Sequence, residues 1–361
     1  MIGSVTIKAL LISHMPPPTT GIGSWTRRVL ECGVPEWEID FVNSNMIGGR
    51  DPFQNTKVVI SDEAKRCFSI WKEEIKALKK NHDEVVHTNI PCTLMGLLRE
   101  SITGIIAKVY GAKFVIHCHC TVPNVVNSGL KRTVFKLVSF LTDGYIVLNT
   151  ASEDFIKKYT NKKVKIIPNF VCEYELPNYK ERLIDASVKN VLFVGGVSAD
   201  KGCDTLIKAA KHITGAQFHL VGIVSPEIKA MEIPDNVTLY GNKDKNFVQN
   251  IMRKSDVFVF LSRYFGEGFS VALVEAMAAG LPCVVTDWAA NADMIGRNRE
   301  GGFVIPQKDY IALVNAISEL QDQKTRQQMS RRNMEAVRTL YTDCIVTKQM
   351  SDFYCCVMDK K

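Results

Sequence analysis

The stretch FGEGFSVALVEAMAAGLPCVVTD, residues 265–287, decides how this chain is read. Glu267 sits between Gly266 and Gly268, a pairing that suits a loop where backbone must come close to something else. The apolar run Val271, Leu273, Val274, Ala276, Met277 and Ala278 predicts a helix that begins near Phe269 or Ser270 and carries Glu275 within it. Cys283–Thr286 then reads as a buried strand, and Val257–Leu261, just upstream, reads as another. Strand, loop, helix, strand is the repeating unit of a parallel sheet.

The rest of the chain repeats this alternation in two halves. In the first, strands are expected at Val5–Ser13, Glu38–Asn43, Glu84–Thr88, Lys113–Cys118, Gly144–Leu148 and Val164–Ile167. Helices are expected near Gly23–Cys32, Asp62–Lys80, Leu94–Tyr110, Leu130–Leu141 and Glu153–Tyr159. Residues 168–189, with Pro168, Pro177 and the polar run Asn178–Arg182, read as a linker. The alternation restarts with strands at Asn190–Val194, Gln217–Val221 and Val237–Tyr240 and helices at Cys203–Ile213 and Asn246–Lys254. Helices near 309–321, 325–341 and 343–357 close the chain. The expected class is α/β: two doubly wound, Rossmann-like parallel-sheet domains facing a cleft, with ligand at the carboxyl ends of the strands.

Length supports two domains, since 361 residues exceed one ordinary core. With 46% apolar and 23% charged residues, large-scale disorder is not expected. The longest apolar runs, such as Ala9–Ile12, are too short to span a bilayer, and Met1–Val5 lacks a basic secretory n-region. Eleven scattered cysteines without a C-x-x-C pair read as reduced cytosolic thiols rather than a disulfide framework. The net charge of +7 lies wholly in residues 1–170, with 22 Lys and Arg against 15 Asp and Glu. A basic half attracts anionic lipid headgroups, nucleic acid or phosphorylated substrates.

The two glutamates point to a ligand. Eight helical residues turn about 80° past two full turns, so both carboxylates can face the cleft only if Glu267 lies in the loop before the helix. Between them come the amide N–H groups of Gly268, Phe269 and Ser270, at the positive end of the helix dipole, where phosphate binds. Two carboxylates around a phosphate cradle suit a diphosphate with hydroxyls on both sides, which describes a nucleotide sugar. The plainer alternative makes Glu267 a dipole-stabilising carboxylate and Glu275 a solvent-facing helix residue.

The stretch resembles the E-x7-E motif of glycosyltransferase family four, retaining enzymes of the GT-B fold, and the likeness continues through EAMAAGLPCVVTD. VKIIPNFV (164–171), VLFVGGVSADKG (191–202), TGIGSWTRRVLE (20–31), FVIHCHC (114–120) and LYGN (239–242) resemble further family segments in the same order. The resemblance implies an acceptor-binding domain at 1–170, a donor-binding domain at 171–342, and a last helix, about 343–361, packed back on the first domain. It implies that Glu275 binds ribose hydroxyls and Glu267 the transferred sugar. The N–H groups of Phe269 and Ser270, beside Gly268, would meet the distal phosphate, and Lys201 would bring a cation to it. Gly21 and Gly23 would let a helix start approach the phosphates, His119 would line the sugar and acceptor pocket, and Asn242 belongs to the turn that meets the base. One departure stands out. The family has arginine where this chain has Gly196, so a bidentate contact to the diphosphate is lost, with Arg263 a candidate substitute.

Other chemistry is disfavoured. Gly21-Ile22-Gly23 lacks the third glycine of a dinucleotide fingerprint, and seven residues separate it from the first strand. On a strand, His117 and His119 point one way and Cys118 and Cys120 the other, so the four cannot converge on one tetrahedral ion. There is no D-x-D pair to hold a divalent ion, so no metal and no cofactor are expected. No nucleic-acid module is visible. Lys131, Arg132 and Lys136 flank the apolar helix residues Val134, Phe135, Leu137, Val138, Phe140 and Leu141, and could hold the first domain peripherally on an anionic membrane. The sum is a cytoplasmic, metal-independent, retaining hexosyltransferase moving sugar from a nucleotide sugar to a saccharide or lipid-linked saccharide. The alternative is a non-catalytic nucleotide-sugar-binding or scaffold protein with a degraded phosphate site, motivated by Gly196.

Overall fold

The computed structural model describes residues 6–16, 20–45, 60–178, 181–298 and 300–359. Val5, Pro17, Pro18 and residues 179–180 of the linker reading lie outside these. The chain forms two compact units, Met1–Cys172 with Asp343–Lys361, and Glu173–Thr342.

The first unit runs β1 (Ile7–Ser13), α1 (Gly21–Cys32), β2 (Trp37–Asn43), α2 (Ile60–Asn81), β3 (Val85–Ile90), α3 (Leu94–Val109), β4 (Lys113–Cys118), α4 (Val122–Val125), α5 (Gly129–Leu141), β5 (Gly144–Val147), α6 (Thr150–Tyr159) and β6 (Lys163–Ile166). The second runs β7 (Asn190–Val194), α7 (Cys203–Ala210), β8 (Gln217–Val221), α8 (Pro226–Lys229), β9 (Val237–Gly241), α9 (Lys245–Lys254), β10 (Val257–Phe260), α10 (Val271–Ala278), β11 (Cys283–Thr286), α11 (Asn291–Ile295), β12 (Gly302–Ile305), α12 (Tyr310–Glu319) and α13 (Gln323–Leu340). The last helix, α14 (Asp343–Met358), belongs to the first unit.

Each unit holds one six-stranded parallel sheet, ordered β2-β1-β3-β4-β5-β6 and β12-β11-β10-β7-β8-β9. The inner strands β1, β3, β4, β5, β10 and β11 are buried along nearly their whole length, as parallel strands covered by helices on both faces must be, while the edge strands β2, β6 and β9 are partly exposed. In the first unit α2, α3 and α5 share one core with Ile70, Leu97 and Val134. The opposite core joins Trp25 of α1 to Val346, Met350, Phe353 and Val357 of α14. Gly144 brings β5 so close to α14 that a Cβ there would stand 2.8 Å from the side chains of Phe353 and Val357.

Two sequence expectations change. Cys32 at the end of α1 and Cys172 after β6 form a disulfide, so the reading of every cysteine as a reduced thiol is corrected. The partners are 140 residues apart, and only the fold brings them together. The nine other cysteines are free. The linker also ends in structure. The buried Arg182 guanidinium donates to the carbonyls of Ala279 at 2.8 Å, Arg253 at 2.9 Å and Met252 at 3.2 Å, satisfying chain ends after α9 and α10 that would otherwise lack partners.

Glu74 of α2 is fully buried against α3, close to Glu100. Burial first, and the Glu100 charge second, raise its carboxyl to about 9, so it stays protonated at neutral pH. The unfolded chain releases this proton above the ordinary value of 4.5, while the folded chain holds it until about 9. Stability therefore falls as pH rises between those values. Glu74→Gln removes that slope. Urea unfolding should show the variant gaining about 3 kcal/mol on the wild type between pH 5 and pH 7.5.

Candidate functional site

In the second sheet β7 and β10 lie side by side, and the chain runs outward from them in opposite directions, β7 to β9 and β10 to β12. Such a switch point opens a crevice at the carboxyl ends of the two strands. The loops leaving those ends are residues 195–202 and 261–270. They bring Lys201 and Glu267 together, with Nζ 2.5 Å from Oε2. Ser262, buried at the end of β10, donates to the same carboxylate oxygen at 3.0 Å. The Lys201 ammonium also lies 4.7 Å from the centre of the Tyr264 ring.

The geometry of this pair is fixed from both sides. Gly202, at φ +81, lets the Lys201 loop lie directly on β10, where a Cβ would stand 2.3 Å from the Leu261 carbonyl oxygen. The Arg263 amide donates to the Asp200 carbonyl at 2.8 Å and ties the two loops together. From β11 the Thr286 hydroxyl donates to the Ser262 carbonyl, and the Trp288 indole donates to the Tyr264 carbonyl, each at 2.6 Å. Ser262, Tyr264, Thr286 and Trp288 were not singled out in the sequence. Ser262 directly follows an apolar strand, a position that points at the crevice; the others carry no local signal.

α10 starts at Val271, later than expected, because Ser270 is its N-cap and its hydroxyl accepts from the Leu273 amide at 3.3 Å. Gly268 and Phe269 are buried before it, the Phe269 ring set edge-on to Tyr341 with centroids 5.4 Å apart. Glu275 falls in the middle of α10 and is half-buried. Gly196 follows the end of β7. Arg263 is paired through Nη2 with Asp204 of α7 at 2.9 Å, so part of its guanidinium is already engaged. Asn242 is exposed just past β9, at the sheet edge and away from the Lys201–Glu267 pair in strand order.

Gly21, Gly23 and His119 lie in the first unit. Its switch point falls between β1 and β3. The Thr20 hydroxyl caps α1, accepting from the Gly23 amide at 3.0 Å, and Gly23 leaves room for Thr20 and Pro16, each within 3.3 Å of where its Cβ would be. Gly21 is exposed with open space around it. His14 bonds to Thr20 at 2.8 Å; burial, with Arg66 and Arg99 behind it, lowers its imidazole to about 4.

His119 belongs to a hydrogen-bond chain whose polarity is fixed by its carbonyl acceptors. Tyr354 bonds to His87 Nδ1, and His87 Nε2–H donates to Asn89 Oδ1 at 3.0 Å. His119 Nε2–H donates to the same oxygen at 3.1 Å, and Asn89 in turn donates to Ser13 at 2.9 Å. Ser13 meets Thr26 at 2.6 Å, and the Thr26 hydroxyl ends the chain on the Ile22 carbonyl. This leaves His119 Nδ1 as the acceptor of a neutral ring. Burial, and then the proximity of His87 and His14, hold that ring well below the usual imidazole range. The strand alternation holds as expected: His117 and His119 pack on Trp25, while Cys118 and Cys120 enter the opposite core with Cys92.

Chemically, a lysine and a carboxylate held side by side at a strand-end crevice can receive a ligand that offers an anion next to hydroxyl groups. Residues 178–336 match the family model described as glycosyl transferases group 1. The UDP-Gal:alpha-D-GlcNAc-diphosphoundecaprenol alpha-1,3-galactosyltransferase of Escherichia coli is 27% identical over 318 residues, covering 76% of this chain and 79% of its own. The N-acetyl-alpha-D-glucosaminyl L-malate synthase of Bacillus anthracis is 24% identical, covering 76% and 75%. Among solved structures, sucrose-phosphate synthase from Thermosynechococcus elongatus superposes with a TM-score of 0.77 at 17% identity over 98% of this chain and 100% of that one. Anabaena HepE, solved with UDP, superposes with a TM-score of 0.71 at 13% identity, covering 96% and 99%. The fold is the two-domain GT-B fold of these neighbours.

Proposed function

We propose that this chain is a retaining, metal-independent hexosyltransferase. It moves a sugar from a nucleotide-diphosphate sugar to an acceptor hydroxyl in polysaccharide or glycolipid biosynthesis. The observation that carries this reading is the Lys201–Glu267 pair at the switch point of the second sheet. Lys201 supplies the cation for the distal phosphate, helped by the N–H groups of Phe269 and Ser270 at the start of α10. Glu267 accepts hydrogen bonds from hydroxyls of the transferred sugar, and Glu275 from the ribose. With Gly196 in place of the family arginine and Arg263 held by Asp204, Lys201 carries most of the cationic load. The acceptor, a saccharide or lipid-linked saccharide, is assigned to the first unit, where the bare Nδ1 of His119 accepts from a hydroxyl.

The reaction is a front-face displacement. The bond from the sugar's anomeric carbon to the phosphate oxygen breaks as the acceptor oxygen bonds to the same face. The departing phosphate oxygen takes the acceptor's proton. The protein contributes orientation and stabilisation of charge on the leaving diphosphate. The name of the Escherichia coli relative, which pairs UDP-galactose with a diphosphoundecaprenol-linked sugar, supports a uridine donor and a lipid-diphosphate acceptor.

A thermal-shift screen of nucleotide sugars tests this. At a hundredfold excess over Kd, the true donor should add about 3 kcal/mol, or roughly 5 to 10 °C in Tm, and Glu275→Ala should abolish most of that rise. If no nucleotide sugar moves Tm, the proposal fails. Binding without nucleotide release in the presence of acceptors would instead make the chain a non-catalytic binder, the reading that Gly196 motivates.

A further inference from the structure

α3 has an unusual outer face. Its exposed positions are Met95, Leu98, Ile102, Ile105 and Val109, spaced by three or four residues into one straight stripe. Val109 is 75% exposed. The polar residues of α3 are turned inward instead: Arg99, Glu100 and Thr103 are buried, so the helix shows its apolar stripe to the outside, the reverse of a helix that faces water. Its one carboxylate, Glu100, is buried and paired with Arg99. Its lysine, Lys108, is paired with Asp143.

α5 extends the same face. Gly104 of α3 lets the two helices touch, since a Cβ there would stand 3.1 Å from Leu141 Cβ. α5 exposes Leu130, Leu137 and Phe140, the last by 78%, and has no acidic residue. Beside these apolar side chains stand the exposed cations Arg132 and Lys136, the Lys136 ammonium 5.2 Å from the centre of the Tyr159 ring of α6. Lys162, from the segment after α6, reaches the Phe140 carbonyl at 3.5 Å and adds a third cation at the rim. An apolar patch of this size marks an interaction surface.

We infer that this face of the first unit docks on an anionic lipid bilayer. The α3 stripe and the C-terminal half of α5 enter the boundary between headgroups and acyl chains, and Arg132, Lys136 and Lys162 sit among the headgroups. Charge selects lipid over a second copy of the chain, because a symmetric pairing on this patch would set Arg132 and Lys136 against their own counterparts. Among the described residues no helix is long and apolar enough to cross a membrane, so the attachment lies along the surface.

Vesicle flotation of the full chain, with no sugar donor present, tests the inference. The probes are vesicles of equal parts phosphatidylcholine and phosphatidylglycerol, and vesicles of phosphatidylcholine alone. The wild type should float with the mixed vesicles and at least about tenfold less with the neutral ones. Ile102→Glu with Ile105→Glu should cut partition into mixed vesicles by at least about tenfold, and Arg132→Glu with Lys136→Glu by roughly twentyfold. All four positions are exposed, and unchanged circular dichroism would confirm the fold. The inference is overturned if the wild type stays unbound or if both variants float like the wild type. It also falls if light scattering shows a wild-type dimer that the Ile102 and Ile105 changes dissolve. Each readout is lipid partition or size alone, so failure here leaves the sugar-transfer proposal standing.

Discussion

The Glu267→Gln variant should lose about two to three orders of magnitude in kcat/KM for sugar transfer while retaining its fold. Glutamine keeps an oxygen for the Ser262 hydroxyl, 3.0 Å away in the wild type, so local packing is preserved. It removes the negative charge beside Lys201 and leaves the ammonium only a neutral amide oxygen to hold it. The measurement is the initial rate of nucleotide release with the donor that stabilises the chain most, alongside a thermal melt of the variant. Lys201→Met should cost a similar factor, and the double variant little more than either, because the two side chains act as one unit. Wild-type turnover in Glu267→Gln would remove the basis of the proposed donor site.

The largest effect on stability is expected at Gly222. It follows β8 at φ +146, and its amide donates to the Gly241 carbonyl at 2.9 Å. A Cβ there would stand 1.7 Å from the Gly195 carbonyl oxygen, inside any tolerable contact and against backbone that cannot turn aside. Gly222→Ala should therefore cost more than about 4 kcal/mol, combining strained backbone with displacement of the loop that leads to Lys201. Gly215→Ala is the control. Gly215 also has positive φ, +84, but nothing lies within 4 Å of its Cβ position, so only about 1 kcal/mol is expected. Urea unfolding of the two variants separates steric contact from backbone preference; equal midpoints would refute the close approach of the two loops.

Much of this architecture was legible because a parallel sheet leaves a strong mark on sequence. Short apolar strands alternate with helical stripes, and most boundaries lie within a few residues of the expected ones. β12 escaped because Gly302–Ile305 offers only four residues behind a glycine pair. The alternation of His117 and His119 against Cys118 and Cys120 was readable from the period of a strand. Their partners were not: Asn89 is 30 residues from His119, and Tyr354 is 267 residues from His87. In the second unit Glu267 and Lys201 stood out through local motifs, yet the contact between them spans 66 residues and is a property of strand order. The α3 stripe shows the same limit. Periodicity locates a helix face but does not say whether another element covers it.

α14 carries a consequence for how the chain is made. Its residues supply one wall of the first unit's core, where Trp37 stacks on Tyr354 with ring centroids 4.1 Å apart and Gly144 is bare so that Phe353 and Val357 can lie on β5. During synthesis the first 172 residues must wait, half-clad, until residues 343–358 leave the ribosome. The middle segment, Glu173–Thr342, is complete before that helix emerges and can fold first. The order of translation and the order of completion are thus reversed.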